Sequence, residues 1–406
     1  MHLGTERYLL GGRIFTNIGD SILYMLVVWY LSGEFSSPLL LSAAFAGMST
    51  IDAASVLAGP FIDRTGPQEN LYGMSLLQGG CAVIFIVFTI FAGLTARQYS
   101  VLLLAVLFLT YGASTIIYPS GEKLIPVLVK EEKLVQTNSL FMTTEKVLDT
   151  AFNAVSAILI SFLTGNTLAW LILLMFILAA GFHRTVFCRL KENYQIRNGK
   201  PEEKYSVHTY MAELKTGITE IKKHPDVVLL FLPLTVMNIF YGIAMVGLPV
   251  IADRYISSQA YGYGSLLMSS SLGGILGAFL ISRFSESIQN PGKYTKIFLL
   301  TAGISWLLIP LTIESNFLFS YLLIFISNGA INMMNVMFLS LIQKEIPGEL
   351  LGRVSTFTES MVSVMVPLGN LTGGFLLSLG YPLLGQILYG VALILCGLPF
   401  RQKADS

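Results

Sequence analysis

Charged residues are scarce in this 406-residue chain, at 12%, about half the share carried by a soluble globular protein. That excludes a string of soluble domains with solvated surfaces. Cysteine occurs only as Cys81, Cys188 and Cys396, without metal-ligand spacing, so neither a zinc cluster nor a disulfide framework is expected. Histidine is also rare: His2, His183, His208 and His224 fall at or beyond the ends of apolar runs, and no Ser/His/Asp set forms. An excess of one charge is missing too, since the net charge of +1 leaves no electrostatic footprint for nucleic acid. The N-terminal stretch, Met1 to Leu10, lacks the basic cluster and small-residue cleavage site of a signal peptide. Gly273-Gly274-Ile275-Leu276-Gly277 lies inside an apolar helix pattern, where it reads as a close helix contact and not as a phosphate loop. No nucleotide-driven pump and no enzyme is expected.

What is plentiful is apolar. Hydrophobic residues make up 54%, and a mean hydropathy of +0.69 holds over the whole length, so the chain reads as a polytopic membrane protein. A helix needs about 20 apolar residues to cross about 30 Å of hydrocarbon. Runs of that length occur near 9–32, 39–62, 71–93, 99–120, 138–163 and 167–187, then near 226–252, 261–284, 295–314, 317–342, 354–380 and 382–400. An even count puts both termini on one side. That side carries 21 of the 25 Lys and Arg, the other only Arg97 and Arg254, with Arg13 and Lys146 inside spans. The bias places both termini in the cytoplasm of a plasma-membrane protein.

The one long polar stretch, 188–225, divides six spans from six and carries Met211, Leu214, Ile218 and Ile221 at helical spacing. This predicts an N-terminal bundle over 1–187, a cytoplasmic linker with an amphipathic helix over 188–225, and a C-terminal bundle over 226–406. Gly59 and Gly277 are separated by nearly the same interval as Glu132 and Glu349, which suggests that the halves are repeats.

Several segments then resemble a family. Gly59-Pro60-Phe61-Ile62-Asp63-Arg64-Thr65-Gly66 resembles the G-x-x-x-D-R-x-G loop of the major facilitator superfamily. Asn17-Ile18-Gly19-Asp20, the Pro126 to Leu134 loop and Ile346-Pro347-Gly348-Glu349-Leu350-Leu351-Gly352-Arg353-Val354 are similar to its macrolide-efflux-like, multidrug-exporter branch. The chain departs from the pattern in three places. Pro67-Gln68-Glu69-Asn70 replaces the usual basic residues, no arginine stands near Phe108 or Leu109, and span five has no Gly-Pro pair. The resemblance implies an all-α membrane protein of twelve transmembrane helices, in two six-helix bundles with pseudo-two-fold symmetry. It implies proton-coupled export of apolar or amphipathic molecules by a monomer in lipid, with no cofactor besides the proton gradient. A dedicated exporter of one siderophore- or peptide-like metabolite, or a sensor or scaffold that binds without transport, fits the same residues.

Ionisable residues within spans are candidate machinery, because a charge at mid-bilayer costs about 2.5–3.5 kcal/mol. Asp20 near the middle of span one is the leading proton-coupling candidate, and Glu145 with Asp149, one turn apart in span five, is the second. Arg13 and Asp52 are expected to form an intramembrane ion pair between spans one and two. The family loop makes Gly59, Asp63, Arg64 and Gly66, with Arg353 opposite, a cytoplasmic gate. Tyr24, Asn238, Tyr241, Asn328, Asn332, Asn335 and Asn370 are candidate cavity residues. Of these, Asn328, Asn332 and Asn335 recur at i, i+4, i+7, a stripe that either lines the pathway or bonds neighbouring helices.

Overall fold

A computed structural model describes residues 4–35, 37–55, 65–91, 93–197, 225–256, 260–284, 291–345 and 364–398. These form twelve helical segments and no strand among the described residues. They are α1 (Thr5–Trp29), α2 (Pro38–Ser55), α3 (Pro67–Phe91), α4 (Ala96–Leu128), α5 (Glu131–Phe162) and α6 (Gly165–Arg197). Then follow α7 (Pro225–Ile251), α8 (Ala260–Phe284), α9 (Pro291–Thr312), α10 (Phe317–Glu345), α11 (Val364–Ser378) and α12 (Leu384–Gly397). The twelve apolar runs and these helices correspond one to one. Eight contain a stretch long and apolar enough to span a membrane. Of the others, α2 has 18 described residues, α11 is an apolar helix over Val364–Ser378, α5 is apolar over Ala151–Phe162, and α12 has 14 residues.

Local chemistry sets several boundaries. Proline opens α2, α3, α7 and α9, at the helix position where its missing N–H costs nothing. Thr95 and Gln98 close a capping box at the start of α4, the Thr95 side chain accepting from the Gln98 N–H and the Gln98 side chain accepting from the Thr95 N–H. At the end of α11, Gly380 takes φ 88°, Tyr381 N–H donates to Leu376 O and Gly380 N–H to Leu377 O. This is a Schellman stop, which turns the chain into α12. Two helices end on π turns, α1 in Tyr30–Glu34 and α7 in Ala252–Ile256.

The chain divides into two compact units, Met1–Phe35 with Ile51–Thr209 and Ser36–Thr50 with Tyr210–Ser406. In the first, α1 packs on α6, α5 and α4, and α3 on α4 and α6. In the second, α7 packs on α12, and α9 on α10 and α12. Gly369 and Gly373 of α11 lie against the α7 backbone at Ile239 and Ile243. Adding six to each helix number thus maps the α1/α6, α3/α6, α3/α4 and α1/α5 contacts onto the second unit. The π turns at the ends of α1 and α7 fit the same repeat.

The units achieve close approach differently. In the first, α1 glycines receive side chains of α6, Gly19 against the Phe176 ring and Gly12 against the His183 imidazole. In the second, backbone meets backbone: a Cβ on Gly273 or Gly277 of α8 would overlap the carbonyls of Phe325 or Gly329 in α10. The small residues of the glycine run thus form a helix contact, as their spacing predicts. Leu9, Leu71, Ile117, Leu124, Phe141 and Val186 close the core of the first unit. Outward faces carry large exposed apolar side chains, such as Leu109 and Leu311, as hydrocarbon solvent requires.

Candidate functional site

Depth along the helices brings four polar residues to one level. Glu34 and Pro38 flank the connection between α1 and α2, and Asp20 and Asp52 each lie about four helical turns in from it. Phe91 and Ala96 flank the α3/α4 connection, and Gln78 and Tyr111 are likewise about four turns in. At 5.4 Å per turn this common layer is about 20 Å from that end of the bundle.

Within the layer, Ser114 Oγ donates to Asp20 Oδ2 at 2.5 Å, and the Gln78 amide lies 3.3 Å from Asp20 Oδ1. The same amide nitrogen reaches Ser114 Oγ at 2.9 Å and the Thr110 carbonyl at 3.2 Å. Gln78, Thr110 and Ser114 are buried, so the half-buried Asp20 is held by a dry polar chain from α3 and α4. Its 2.5 Å bond is in the short range of charge-assisted hydrogen bonds. A hydroxyl can donate to a carboxylate or accept from a carboxylic acid. Ser114 can therefore serve both protonation states by rotating its hydrogen. Beside it, the Tyr111 hydroxyl bridges both oxygens of Asp52, at 2.8 and 2.9 Å, within electrostatic range of Asp20 and Tyr24.

The expected Arg13–Asp52 pair does not form. Arg13 lies about six turns from the α1/α2 connection, about two turns beyond Asp52, which is out of reach. It pairs instead with Glu122 of α4 at 3.5 Å, its guanidinium 4.9 Å from the centre of the Tyr118 ring and 5.9 Å from that of Phe141. Asp52 takes the Tyr111 phenol in place of a cation. His183, expected at a span end, is fully buried in α6 and bonded to Ser75 of α3 at 2.6 Å.

Glu145 and Asp149 lie one turn apart on α5, with their side chains outside the described set. Gly59, Asp63, Arg64 and Arg353 also lie outside it. Gly66 is described, and its carbonyl accepts from the N–H groups of Glu69 and Asn70 to begin α3.

In the second unit, Asn328 and Asn332 donate to carbonyls one turn back, Ile324 O at 3.1 Å and Asn328 O at 3.0 Å. Part of the stripe thus bonds within its own helix, while Asn335 is exposed. Asn238 is half-buried on α7. Asn370 is buried and donates to Ser49 Oγ at 3.0 Å. Tyr241 meets Tyr389 edge-on, and Tyr389 meets Trp306 in the same way, at 5.8 and 5.2 Å between ring centres.

Sequence reasoning missed Gln78, Ser114, Thr110, Tyr111, Glu122, Ser75 and His183 as participants. Their spacing was the available signal: Ser75 and Gln78 at i, i+3, Thr110 and Ser114 at i, i+4, each pair one face of an otherwise apolar helix.

The profile of the family described as Major Facilitator Superfamily matches residues 9–370. The chain belongs to the Major Facilitator Superfamily. As a member it is a multi-pass membrane transporter and not an enzyme. Macrolide efflux protein A of Streptococcus pyogenes is 24% identical over 366 residues, 88% of this chain and 85% of that protein. A Bacillus subtilis (strain 168) protein named for bacilysin export, BacE, is 22% identical over 405 residues, 98% of this chain and 93% of its own. Among solved structures, an inward-facing bacterial homologue of the iron transporter ferroportin superposes with a TM-score of 0.66 at 18% identity, covering 98% of this chain and 99% of that one. A peptide transporter POT in complex with sulfate gives 0.68 at 13% identity, covering 98% and 94%. These structural likenesses establish the major facilitator fold.

Proposed function

We propose that this transporter exports apolar or amphipathic small molecules of the macrolide or multidrug type, by alternating access coupled to protons at Asp20. The observation that carries the reading is the Asp20 cradle, with Ser114 Oγ at 2.5 Å and Gln78 Nε2 at 3.3 Å. A carboxyl at this depth, held by groups that accept either of its protonation states, suits a carrier that loads and unloads a proton in each cycle. The bundles 1–187 and 226–406 are the moving bodies, joined by 188–225, with both termini cytoplasmic, and the Asp63, Arg64 and Arg353 loops act as the gate. Glu145 and Asp149 are the second coupling candidates. The substrate meets Tyr24, Asn238, Tyr241 and the asparagines of α10 and α11. For coupling, the proton must bind the two conformations with different free energy.

The test is efflux of a macrolide and dye panel from a pump-deficient bacterial host, with and without a protonophore. Asp20→Asn should abolish energised efflux at normal membrane expression, whereas full activity in that variant would sink the assignment. The likeness to BacE supports one second reading, export of a single peptide-like metabolite. Under it the parent ignores the macrolide panel yet raises tolerance to that metabolite in a producing cell.

A further inference from the structure

The polar chain at Asp20 has a direction. Ser114 Oγ–H donates to Asp20 Oδ2 at 2.5 Å and Gln78 Nε2–H donates to Ser114 Oγ at 2.9 Å, so every hydrogen of the chain points toward the carboxylate. Nε2 has two hydrogens for three oxygens, the others being Thr110 O at 3.2 Å and Asp20 Oδ1 at 3.3 Å. The opposite end of the same amide is idle. Gln78 is fully buried, and its Oε1 has no hydrogen-bond partner among the described residues. A buried acceptor is costly to leave unused.

A proton on Asp20 reverses what the chain must do. On Oδ2 it makes the carboxyl a donor to Ser114 Oγ, whose own hydrogen then has to point elsewhere. Ser100 and Thr110 of the same helix donate to carbonyls one turn back, Ala96 O at 2.9 Å and Val106 O at 2.8 Å. The equivalent carbonyl for Ser114 is Thr110 O, but among the described residues Ser114 Oγ bonds Asp20 and Gln78 and not that carbonyl. Gln78 is thus the neighbour left to accept. On Oδ1 the proton would meet Nε2 at 3.3 Å, donor against donor. Either way the amide has to present Oε1 in place of Nε2.

We propose that Gln78 is the positioning residue that senses the protonation of Asp20, its amide turning over so that the hydrogen-bond chain runs one way with the carboxylate and the other way with the acid. The inference rests on the proton-coupled reading of Asp20. The arriving proton forms one O–H bond on the carboxyl, and no other covalent bond changes. With Asp20 ionised, the Gln78 N–H groups tie α3 to α1 at Asp20 and to the α4 backbone at Thr110. With Asp20 protonated, Oε1 accepts a single bond and faces the Thr110 carbonyl, acceptor against acceptor, so α3 is released from this layer. The two protonation states therefore differ in how α3 is held, which supplies the difference in free energy that coupling needs.

Titratable groups come near Asp20 from Tyr24 of α1, from Tyr111 of α4 and, across the Tyr111 hydroxyl, from Asp52 of α2. The Tyr111 hydroxyl is committed to both oxygens of Asp52. From α3 comes the neutral Gln78, and from α6 the Phe176 ring against Gly19. On α5, Asp149 lies about four turns from Phe162, at the same depth, and its side chain, like those of Glu145 and Lys146, is outside the described set.

The test is solid-state NMR of the full chain in lipid bilayers, with carbon-13 on threonine carbonyls and nitrogen-15 on glutamine side chains. It reads the dipolar contact between Gln78 Nε2 and the Thr110 carbonyl carbon, assigned by its loss in Gln78→Met. Carbon-13 on aspartate carboxyls, assigned with Asp20→Asn, follows the ionisation of Asp20 from about pH 8 to about pH 4. The contact should persist while Asp20 is ionised and disappear as it protonates. Asp20→Asn brings an N–H2 group that either donates to Ser114 and reverses the chain or meets Nε2, so that variant should lack the contact at every pH. A contact unchanged by protonation of Asp20, or retained in folded Asp20→Asn, overturns the inference and leaves Gln78 a static brace. Proton-driven efflux by the parent is measured alongside. Loss of the contact in Asp20→Asn, with a parent that shows no proton-driven efflux, refutes the coupling reading alone. Proton-driven efflux with a contact that never changes refutes this inference alone.

Discussion

Replacing either member of the Arg13–Glu122 pair should have unequal consequences, and the structure says by how much. The Arg13 side chain is 8% exposed and that of Glu122 63%. Glu122 lies about seven turns along α4, which places it about 39 Å from the end of that helix at Ala96. That is beyond a hydrocarbon core of about 30 Å, so water and headgroups solvate the carboxylate when it is alone. A bridge with one exposed partner contributes at most about 1 kcal/mol. Arg13 has in addition the faces of Tyr118 and Phe141, each worth about 0.5–2 kcal/mol when desolvated. Arg13→Met, which keeps the stem volume, should therefore cost about 1–3 kcal/mol, and Glu122→Gln less than about 1 kcal/mol. In thermal unfolding of the purified protein, at roughly 2–4 °C per kcal/mol, Arg13→Met lowers the midpoint by about 2–12 °C and Glu122→Gln by less than about 4 °C. The double mutant should show a coupling below about 1 kcal/mol. Equal damage from the two single variants would refute the reasoning, because it would make the ion pair, and not the aromatic faces, the source of the stability. Arg13→Met and Asp52→Asn should add within about 0.5 kcal/mol, as residues without shared partners do.

Ser114→Ala removes the 2.5 Å donor to Asp20, a charge-assisted bond worth about 1.5–3 kcal/mol, and should lower proton-driven efflux about 10- to 100-fold, with Ser114→Thr restoring most of it. Tyr111→Phe and Asp52→Ala each break the same bridge, so their effects on efflux should be similar and the double variant no worse than the more damaging single one. Gly277→Val should fail to accumulate as folded protein, because even its Cβ overlaps the Gly329 carbonyl, whereas Gly79→Ala, facing open space, should be tolerated or stabilise by up to about 1 kcal/mol. Membrane-fraction yield and unfolding midpoint check both.

Much of the fold was legible in composition and period. Each apolar run corresponds to a helix, and the glycine run, read as a close contact, lies against α10. Boundaries moved where local chemistry outlasted hydropathy. The fourth span, expected at 99–120, begins at the Thr95 capping box and continues to Leu128 past Pro119 and Pro126, and the sixth continues from 187 to Arg197. Arg189 of that extension lies over the Tyr8 ring at 4.5 Å, a contact hydropathy cannot register.

The candidate site was legible only in part. Asp20 stood out because a lone carboxylate among apolar residues is costly wherever the helix goes. Its partners did not, since Gln78, Thr110 and Ser114 are ordinary polar residues in α3 and α4. They matter because two helix connections set positions about four turns along four helices at one depth. The Arg13–Asp52 expectation failed for the same reason: charge complementarity is readable from residue types, but depth follows from where each helix begins.

The sequence by itself determined that the chain lives in a membrane, which apolar runs form the described helices, and which side chains are too costly to sit there idle, because hydrocarbon transfer energies depend on residue type alone. The tertiary structure decided which groups satisfy those side chains. It gave Ser114 and Gln78 to Asp20, Tyr111 to Asp52, Glu122 to Arg13 and Ser75 to His183, because hydrogen bonds act over about 3 Å and only packing sets distances that short.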